Sequence, residues 1–223
     1  MCGRFTLQAP ADVLADLFGV PALYELPARY NIAPTQDVAA VRIDPDEGDR
    51  ELVMLRWGLV PFFAKDPSIG NRMINARGET LAEKPSFRAA YRSRRCLIPA
   101  DGFYEWQKLA DGKQPQHVAF VDGSVFAMAG LYENWRRPDG GDLSSCTIIT
   151  TEASEDLAWL HDRMPVILDP EDWELWLDPE LKDRSVLDPL LVPWAGRKLR
   201  ARPVSRRVNS PREDDPDLLD ESA

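Results

Sequence analysis

Hydrophobic and polar positions alternate along the chain in short blocks that predict its elements. Apolar residues repeat at helical spacing between Pro10 and Phe18, and Gly19 is a typical stop, so we expect a helix over 10–18. Five blocks rich in β-branched and apolar residues, separated by turn clusters, predict strands over 38–42, 51–57, 116–121, 125–131 and 146–151. The first two blocks predict a hairpin, and the last three predict a meander.

Shorter or irregular patterns fill the rest of the chain. We expect a basic helix over 86–95 and two more helices, over 154–160 and over 171–177, the latter with Pro170 in its first turn. Residues 27–36 and 58–71 have loop composition. The sequence therefore predicts an α+β protein in which a mainly antiparallel β core, flanked by short helices, forms one domain over 1–210. Charged residues without periodicity follow, so we expect an acidic, disordered tail over 211–223.

The composition narrows the class of protein. With 223 residues, 44% of them hydrophobic, the chain can bury one full core. It has no opening signal-like run and no apolar stretch of about 18 residues, which favours a cytoplasmic protein without membrane contact. The three cysteines are far apart and lack a C-x-x-C pair, so neither a disulfide framework nor a zinc site is expected. Cys96 and Cys146 lie in apolar segments and are predicted to pack in the core.

Charge is unevenly placed along the chain. The net charge is -10, yet residues 56–95 hold nine basic and three acidic residues, and residues 194–207 hold six basic and no acidic ones. Two basic segments in an acidic protein can form one positive groove, which suits a phosphate-bearing ligand. A solvated surface with paired charges is an equally good interpretation of the charge alone.

Cys2 is the first candidate for chemistry. Removal of Met1 would leave an N-terminal cysteine with an amine and a thiol on adjacent carbons. The amine can form a Schiff base with an aldehyde, and the thiolate can then close a thiazolidine ring. Ordinary pKa values of about 8 for the amine and about 8.5 for the thiol would leave both groups partly reactive near neutral pH. Taken alone, Cys2 also fits a frayed terminus.

Three other features suit catalysis or phosphate binding. Glu105 lies among aromatic residues, where a carboxylate is costly to bury unless it is paired or functional, and alternation predicts that Phe103 shares its face. Of the two histidines, His161 follows a predicted helix beside acidic and basic neighbours and is a better catalytic candidate than His117, which lies on a predicted strand. The polar segment 203–209 suits phosphate oxygens.

Seven motifs together resemble one known family, the SRAP (SOS-response-associated peptidase) domains, which crosslink to abasic sites in single-stranded DNA. In chain order they are Cys2-Gly-Arg-Phe5, Arg29-Tyr-Asn-Ile-Ala-Pro34, Trp57-Gly, Asn75-Ala-Arg77-Gly-Glu-Thr80, Arg95-Cys-Leu-Ile-Pro-Ala-Asp-Gly-Phe-Tyr-Glu-Trp106, His161-Asp-Arg-Met-Pro165 and Pro203-Val-Ser-Arg-Arg-Val-Asn209. The resemblance covers residues 2 to about 210. It implies a DNA-damage protein with the SRAP fold that needs no metal or cofactor.

The resemblance also implies roles for individual residues. Cys2 would form the thiazolidine with the ring-opened abasic sugar, Asn75 would orient the sugar or the amine, and Glu105 and His161 would move protons. DNA contacts are implied for Arg4, Arg29, Asn31, Pro34, Phe62, Phe63, Arg77, Lys84, Arg88, Trp106, Ser205 and Arg206. The implied partner is single-stranded DNA with abasic sites. We further expect a monomer, associated with the nucleoid when bound to DNA, with weak lyase activity and peptidase activity limited to its own leading residue.

Two alternative functions use the same residues. An N-terminal-nucleophile amidohydrolase would attack an amide with the Cys2 thiol and would need no DNA. A non-catalytic reader of single-stranded or modified DNA would use only the basic segments and the aromatic residues. A Cys2→Ala variant separates these alternatives, because only the reader would lose nothing.

Overall fold

The computed structural model describes residues 2–21, 26–110, 112–138 and 140–220. In this part of the chain the strands are β1 (Phe5–Leu7), β2 (Arg29–Ile32), β3 (Asp37–Ile43), β4 (Arg50–Trp57), β5 (Asn75–Arg77), β6 (Arg95–Ala100), β7 (Gly102–Leu109), β8 (Gly112–Phe120), β9 (Phe126–Arg136), β10 (Asp142–Glu152), β11 (Arg163–Pro165), β12 (Ile167–Leu168) and β13 (Leu199–Pro203). The α-helices are α1 (Ala11–Phe18), α2 (Pro85–Ser93), α3 (Trp173–Leu177) and α4 (Arg184–Leu187). No helix in the described ranges is long and apolar enough to cross a membrane.

The larger of two sheets closes on itself. Its eight strands follow the order β11-β10-β4-β3-β6-β9-β12, with β5 beside β10, and β9 also pairs with β10. The ring β10-β4-β3-β6-β9 is therefore a small barrel, in which closure leaves no exposed edge. Its pairings are antiparallel except that β10 runs parallel to β4 and to β5.

The smaller sheet carries the N-terminal segment. Its five strands follow the order β13-β8-β7-β1-β2, all antiparallel, so β1 lies between β2 and β7. Phe5 pairs with Phe103 of β7 and packs edge-on against Trp57 of the barrel, with ring centroids 5.2 Å apart. The core therefore runs from the barrel interior to one face of the smaller sheet, and it fixes the chain immediately after Cys2.

Most of the predicted elements are confirmed. The α+β class with a mainly antiparallel core, helix α1 with Gly19 in the left-handed conformation and the β3–β4 hairpin form, and Cys96 and Cys146 are buried in the core. The predicted meander is only partly correct, because β9 and β10 pair antiparallel but β8 lies in the other sheet between β7 and β13. Two other predictions are wrong. Residues 154–160 form turns and no helix, since their backbone bonds are isolated turn bonds ending at His161. The loop predicted over 27–36 contains β2, whose N–H and C=O groups pair with β1.

The basic helix predicted over 86–95 forms, but it ends two residues early. Helix α2 stops at Ser93, and Arg95 opens strand β6 with only 2% of its surface exposed. Its guanidinium donates to the carbonyl oxygens of Tyr91 (2.7 Å) and Trp176 (2.6 Å), which offsets the cost of burial.

The expectation of a disordered tail is wrong for residues 211–220. Pro216–Leu219 form a 3-10 turn, and Leu218 is fully buried. The Asn31 side-chain amide also donates to the carbonyl oxygens of Ser210 (2.9 Å) and Glu213 (2.7 Å). These contacts supply the burial and hydrogen bonds that composition alone does not indicate. Residues 221–223 lie outside the described residues.

Candidate functional site

Cys2 lies buried at the start of β1, with none of its surface exposed. The side-chain amide of Asn75 donates to its carbonyl oxygen at 2.7 Å, and its thiol faces the Arg4 carbonyl oxygen at 3.8 Å. Burial, and then the negative charge of Glu105, raise the pKa of the Cys2 thiol far above its usual range. This shift applies to the chain that carries Met1, so the expectation of a partly ionised thiol in the processed chain stays a prediction.

Glu105 reaches the same region from β7. It is 4% exposed, and its pairing with Gln116 places it on the core-facing side of the strand together with Phe103, which confirms the predicted alternation. Burial raises the pKa of the Glu105 carboxyl, and the positive charges of the N-terminus and then of His161 oppose this rise. A carboxyl with a raised pKa keeps its proton to higher pH than an exposed one, which suits a role in proton transfer.

Asn75 opens strand β5, which pairs in parallel with Ile148 of β10 and is thereby held against the barrel. Its amide nitrogen is committed to the Cys2 carbonyl oxygen. Its side-chain oxygen is buried and has no hydrogen-bond partner among the described residues. A buried acceptor without a partner is costly, so this oxygen is available for a donor that enters the site.

His161 lies half-buried where the turns over 154–160 end. Its Nδ1 faces both the backbone N–H of Arg163 at 2.9 Å and a carboxylate oxygen of the exposed Asp162 at 2.8 Å. The N–H requires an unprotonated Nδ1, whereas the carboxylate requires a protonated one. We therefore assign the Arg163 contact to the tautomer with its proton on Nε2, and the Asp162 contact to a ring that carries a proton on Nδ1.

An ion pair between Glu79 and Arg163 joins the two segments that carry Asn75 and His161. The Arg163 guanidinium donates to both Glu79 oxygens, at 2.6 and 3.0 Å, and to the Thr150 carbonyl oxygen at 2.7 Å. Sequence reasoning missed this pair because its members are 84 positions apart. The only signal was that both belong to motifs of the SRAP resemblance.

His117 is structural. It is 4% exposed, its Nε2 lies 3.2 Å from the Thr6 hydroxyl, and burial, with the charge of Arg202, lowers its pKa to about 3. The Thr6 hydroxyl also donates to Asp101 at 2.5 Å. His117 lies on the opposite face of the smaller sheet from Glu105, because it pairs with Tyr104. Of the two histidines, only His161 lies near the Cys2 site.

Several residues predicted to contact DNA are exposed. Phe62 and Phe63 are 59% and 50% exposed and pack edge-on, with ring centroids 5.3 Å apart. Arg77, Lys84 and Arg88 are also exposed, and the structure shows no salt bridge for their side chains within the described ranges. Exposed aromatic rings and exposed cations are the groups that single-stranded DNA requires for stacking and phosphate contact.

Other residues predicted to contact DNA are engaged inside the protein. The Arg4 guanidinium donates to Asn31 Oδ1 (2.9 Å) and to the Val208 carbonyl oxygen (2.7 Å), and Trp106 Nε1 donates to Asn209 Oδ1 (2.7 Å). The remaining predicted contacts are also placed. Arg29 is paired with Asp214, Pro34 is half-buried at a turn, the Ser205 hydroxyl accepts from the Arg207 N–H, and Arg206 is exposed.

The chain is similar to proteins of one family. The profile of the SOS response associated peptidase (SRAP) family matches residues 1–211. The chain is 45% identical over 224 residues to the abasic site processing protein YoqW of Bacillus subtilis, with 99% of each chain covered. It is 37% identical over 204 residues to the abasic site processing protein HMCES of Gallus gallus, covering 80% of this chain and 60% of that protein.

A solved structure has the same fold. The fold matches the crystal structure of a protein from Bacteroides thetaiotaomicron with a TM-score of 0.89 and 27% identity, and 100% of both chains is covered. The resemblance that the seven motifs indicate is thus confirmed over nearly the whole length. The chain belongs to the SOS response associated peptidase (SRAP) family.

Proposed function

We propose that this protein senses abasic sites in single-stranded DNA and traps them as a thiazolidine on Cys2 once Met1 has been removed, which shields the lesion from strand cleavage. The observation that carries the proposal is the meeting of three groups at one buried cysteine. Asn75 bonds to the Cys2 backbone, the charge of Glu105 acts on the Cys2 thiol, and the charge of His161 acts on Glu105. The names of the relatives support abasic DNA as the substrate.

The chemistry balances without a cofactor. The neutral α-amine of Cys2 adds to the C1 aldehyde of the ring-opened sugar to give a carbinolamine, which loses water to form the Schiff base. The thiol sulfur then bonds to the same carbon, and the thiol proton is transferred, directly or through a base, to the former imine nitrogen. The sum is an amine, a thiol and an aldehyde giving a thiazolidine and one water.

Two titratable groups serve the proton transfers. Protonated Glu105 donates to the departing hydroxyl of the carbinolamine, since its raised pKa keeps the acid form available. Neutral His161 carries its proton on Nε2, and we assign it to opening of the closed sugar. The Schiff base also accounts for weak abasic-site lyase activity, and removal of Met1 is the peptidase step.

The exposed residues near the site bind the flanking DNA. Arg77 lies two residues after Asn75 on β5, which supports a contact with a phosphate beside the lesion, and Lys84 before α2 and Arg88 on α2 would add further positive charge. Phe62 and Phe63 provide ring faces for neighbouring bases.

Intact-protein mass spectrometry with a single-stranded oligonucleotide that contains one abasic site tests this proposal. We expect the protein without Met1, and an adduct of protein plus oligonucleotide minus one water that maps to Cys2. The control is Cys2→Ala, which should keep affinity for undamaged DNA and form no thiazolidine. An adduct at a lysine, or none with the processed protein, would refute trapping by Cys2. A thioester intermediate with small amides in the absence of DNA would instead identify the amidohydrolase.

A further inference from the structure

An acidic segment near the C-terminus, Glu213–Asp214–Asp215, occupies an anion-binding site, which we call the anion site. One Asp214 oxygen accepts from the backbone N–H groups of Tyr30 (2.6 Å) and Asn31 (2.8 Å), and the other accepts from the Arg29 guanidinium. β2 is an edge strand, and its pairing with β1 is irregular between Arg29 and Ile32, so both N–H groups can reach the same oxygen. A guanidinium with two backbone N–H groups is a donor set that also binds phosphate oxygens.

The neighbouring carboxylates neutralise a second cation. The Arg207 guanidinium donates to Glu213 and to Asp215, at 2.6 Å each, and these contacts raise the pKa of Arg207. All of the charged side chains in these pairs are between 24% and 48% exposed. Ion pairs that reach solvent are weak and are screened by salt, so another anion can compete for both arginines.

The anion site lies close to the Cys2 site. Arg4 is two residues beyond Cys2, and its guanidinium donates to the side chain of Asn31, whose backbone N–H holds Asp214. The acidic segment begins just beyond residue 211, where the match to the family profile ends. Leu218 anchors the chain just beyond the segment, so the carboxylates can leave the site while the tail stays attached.

We propose that this segment competes with DNA for the anion site, and that backbone phosphates of single-stranded DNA replace the carboxylates of residues 213–215 on Arg29 and Arg207. The inference rests on the proposed function, and it adds a second phosphate-binding surface and a built-in competitor. A tethered competitor acts at a high effective concentration, so it selects for ligands that bring several phosphates at once over single anions.

The test is the salt dependence of binding to an undamaged single-stranded oligonucleotide, measured by fluorescence anisotropy. The variant Glu213→Gln/Asp214→Asn/Asp215→Asn removes the competitor. The control Asp46→Asn/Glu47→Gln/Asp49→Asn removes the same charge from the exposed β3–β4 turn. In the wild type, the carboxylates that DNA displaces bind cations again, which offsets the cations released from the phosphates that replace them. In the variant no carboxylate is displaced, so two phosphate contacts at about 0.7 each should steepen the slope of log K against log salt by about 1.4.

That change in slope has a large consequence at low salt. If the affinities of the variant and the wild type meet at 1 M salt, the variant should bind about 25-fold more tightly at 0.1 M. A slope no steeper than that of the control would overturn the inference. Should the variant fail to fold, hydrogen exchange of the wild-type segment 210–220 decides: faster exchange with saturating DNA supports displacement, and unchanged or slower exchange refutes it.

These outcomes are distinct from failure of the proposed function. A protein that crosslinks abasic DNA but shows an unchanged slope retains the proposed function and loses the inference. A protein that binds undamaged DNA with the steeper slope in the variant but forms no Cys2 adduct retains the competing segment as part of a non-covalent DNA binder.

Discussion

His117 should make the fold sensitive to mild acid. Burial lowers the pKa of His117 from 6.5 to about 3. Between these pH values, His117 is protonated in the unfolded chain and unprotonated in the folded chain. Stability linked to this residue is fully present above pH 6.5 and is lost as the pH falls toward 3. Each pH unit in the middle of that window costs about 1.4 kcal/mol, which gives about 2 kcal/mol at pH 5 and about 4 kcal/mol at pH 3.

Urea denaturation at pH 7 and at pH 5 measures this loss. His117→Gln removes the titrating group, and its free energy of unfolding should fall by about 2 kcal/mol less than that of the wild type between the two pH values. Ser145→Ala is the control, because it changes a buried polar side chain that does not titrate and should leave the wild-type pH dependence. Identical pH dependence in the wild type and His117→Gln would show that His117 protonates freely in the folded state, and the reasoning from its burial would be wrong.

Three further changes probe the site directly. Asn75→Ala removes the hydrogen bond to the Cys2 carbonyl, about 0.5–1.5 kcal/mol, so crosslinking followed by mass spectrometry should slow by about 2- to 12-fold; an unchanged rate would exclude this positioning role. Glu105→Gln should slow crosslinking but raise the melting temperature at pH 7. The raised pKa of Glu105 means that the stability of the wild type is lost as the pH rises through this pKa. The gain in melting temperature from Glu105→Gln should therefore shrink at pH 4. A lower melting temperature of the variant at pH 7 would show that the fold stabilises the charged form of Glu105. Arg77→Gln should reduce the salt slope of DNA binding by about 0.7, and a constant slope would exclude a phosphate contact.

The sequence predicted those features that depend on local periodicity. Strand alternation placed Phe103 and Glu105 on one face because the side-chain period of a strand is two, and the β7–β8 register has that arrangement. Helix α1 was equally accessible, since its apolar stripe and terminal Gly19 are both local signals. For the same reason, a costly carboxylate at position 105 could be singled out before its surroundings were known.

Features that depend on distant partners were not predictable from the sequence. An acidic, Pro-containing segment has the composition of a disordered tail, but Arg29, Asn31 and Arg207 hold it in place. The Glu79–Arg163 pair similarly crosses β10 between segments far apart in the chain. The turns over 154–160 show the opposite effect, since tertiary context there leaves a helix-like pattern as turns. In each case the local structure depends on contacts with residues far away in the chain, and the spacing of residue types along the sequence does not indicate these contacts.

The burial of Cys2 sets the order of steps in the proposed reaction. A thiol that stays buried after Met1 has been removed is protonated near neutral pH, so the amine must attack first and the sulfur must lose its proton as it bonds to carbon. That step requires a nearby base. Glu105 has just become one, because it gave its proton to the departing hydroxyl when the Schiff base formed. One buried carboxyl can therefore act as acid and then as base in successive steps, and its raised pKa suits both, since the acid is available at the start and the carboxylate is basic enough to accept the thiol proton. The same burial that withholds the thiol from other electrophiles thus confines its reactivity to a Schiff base formed on its own amine.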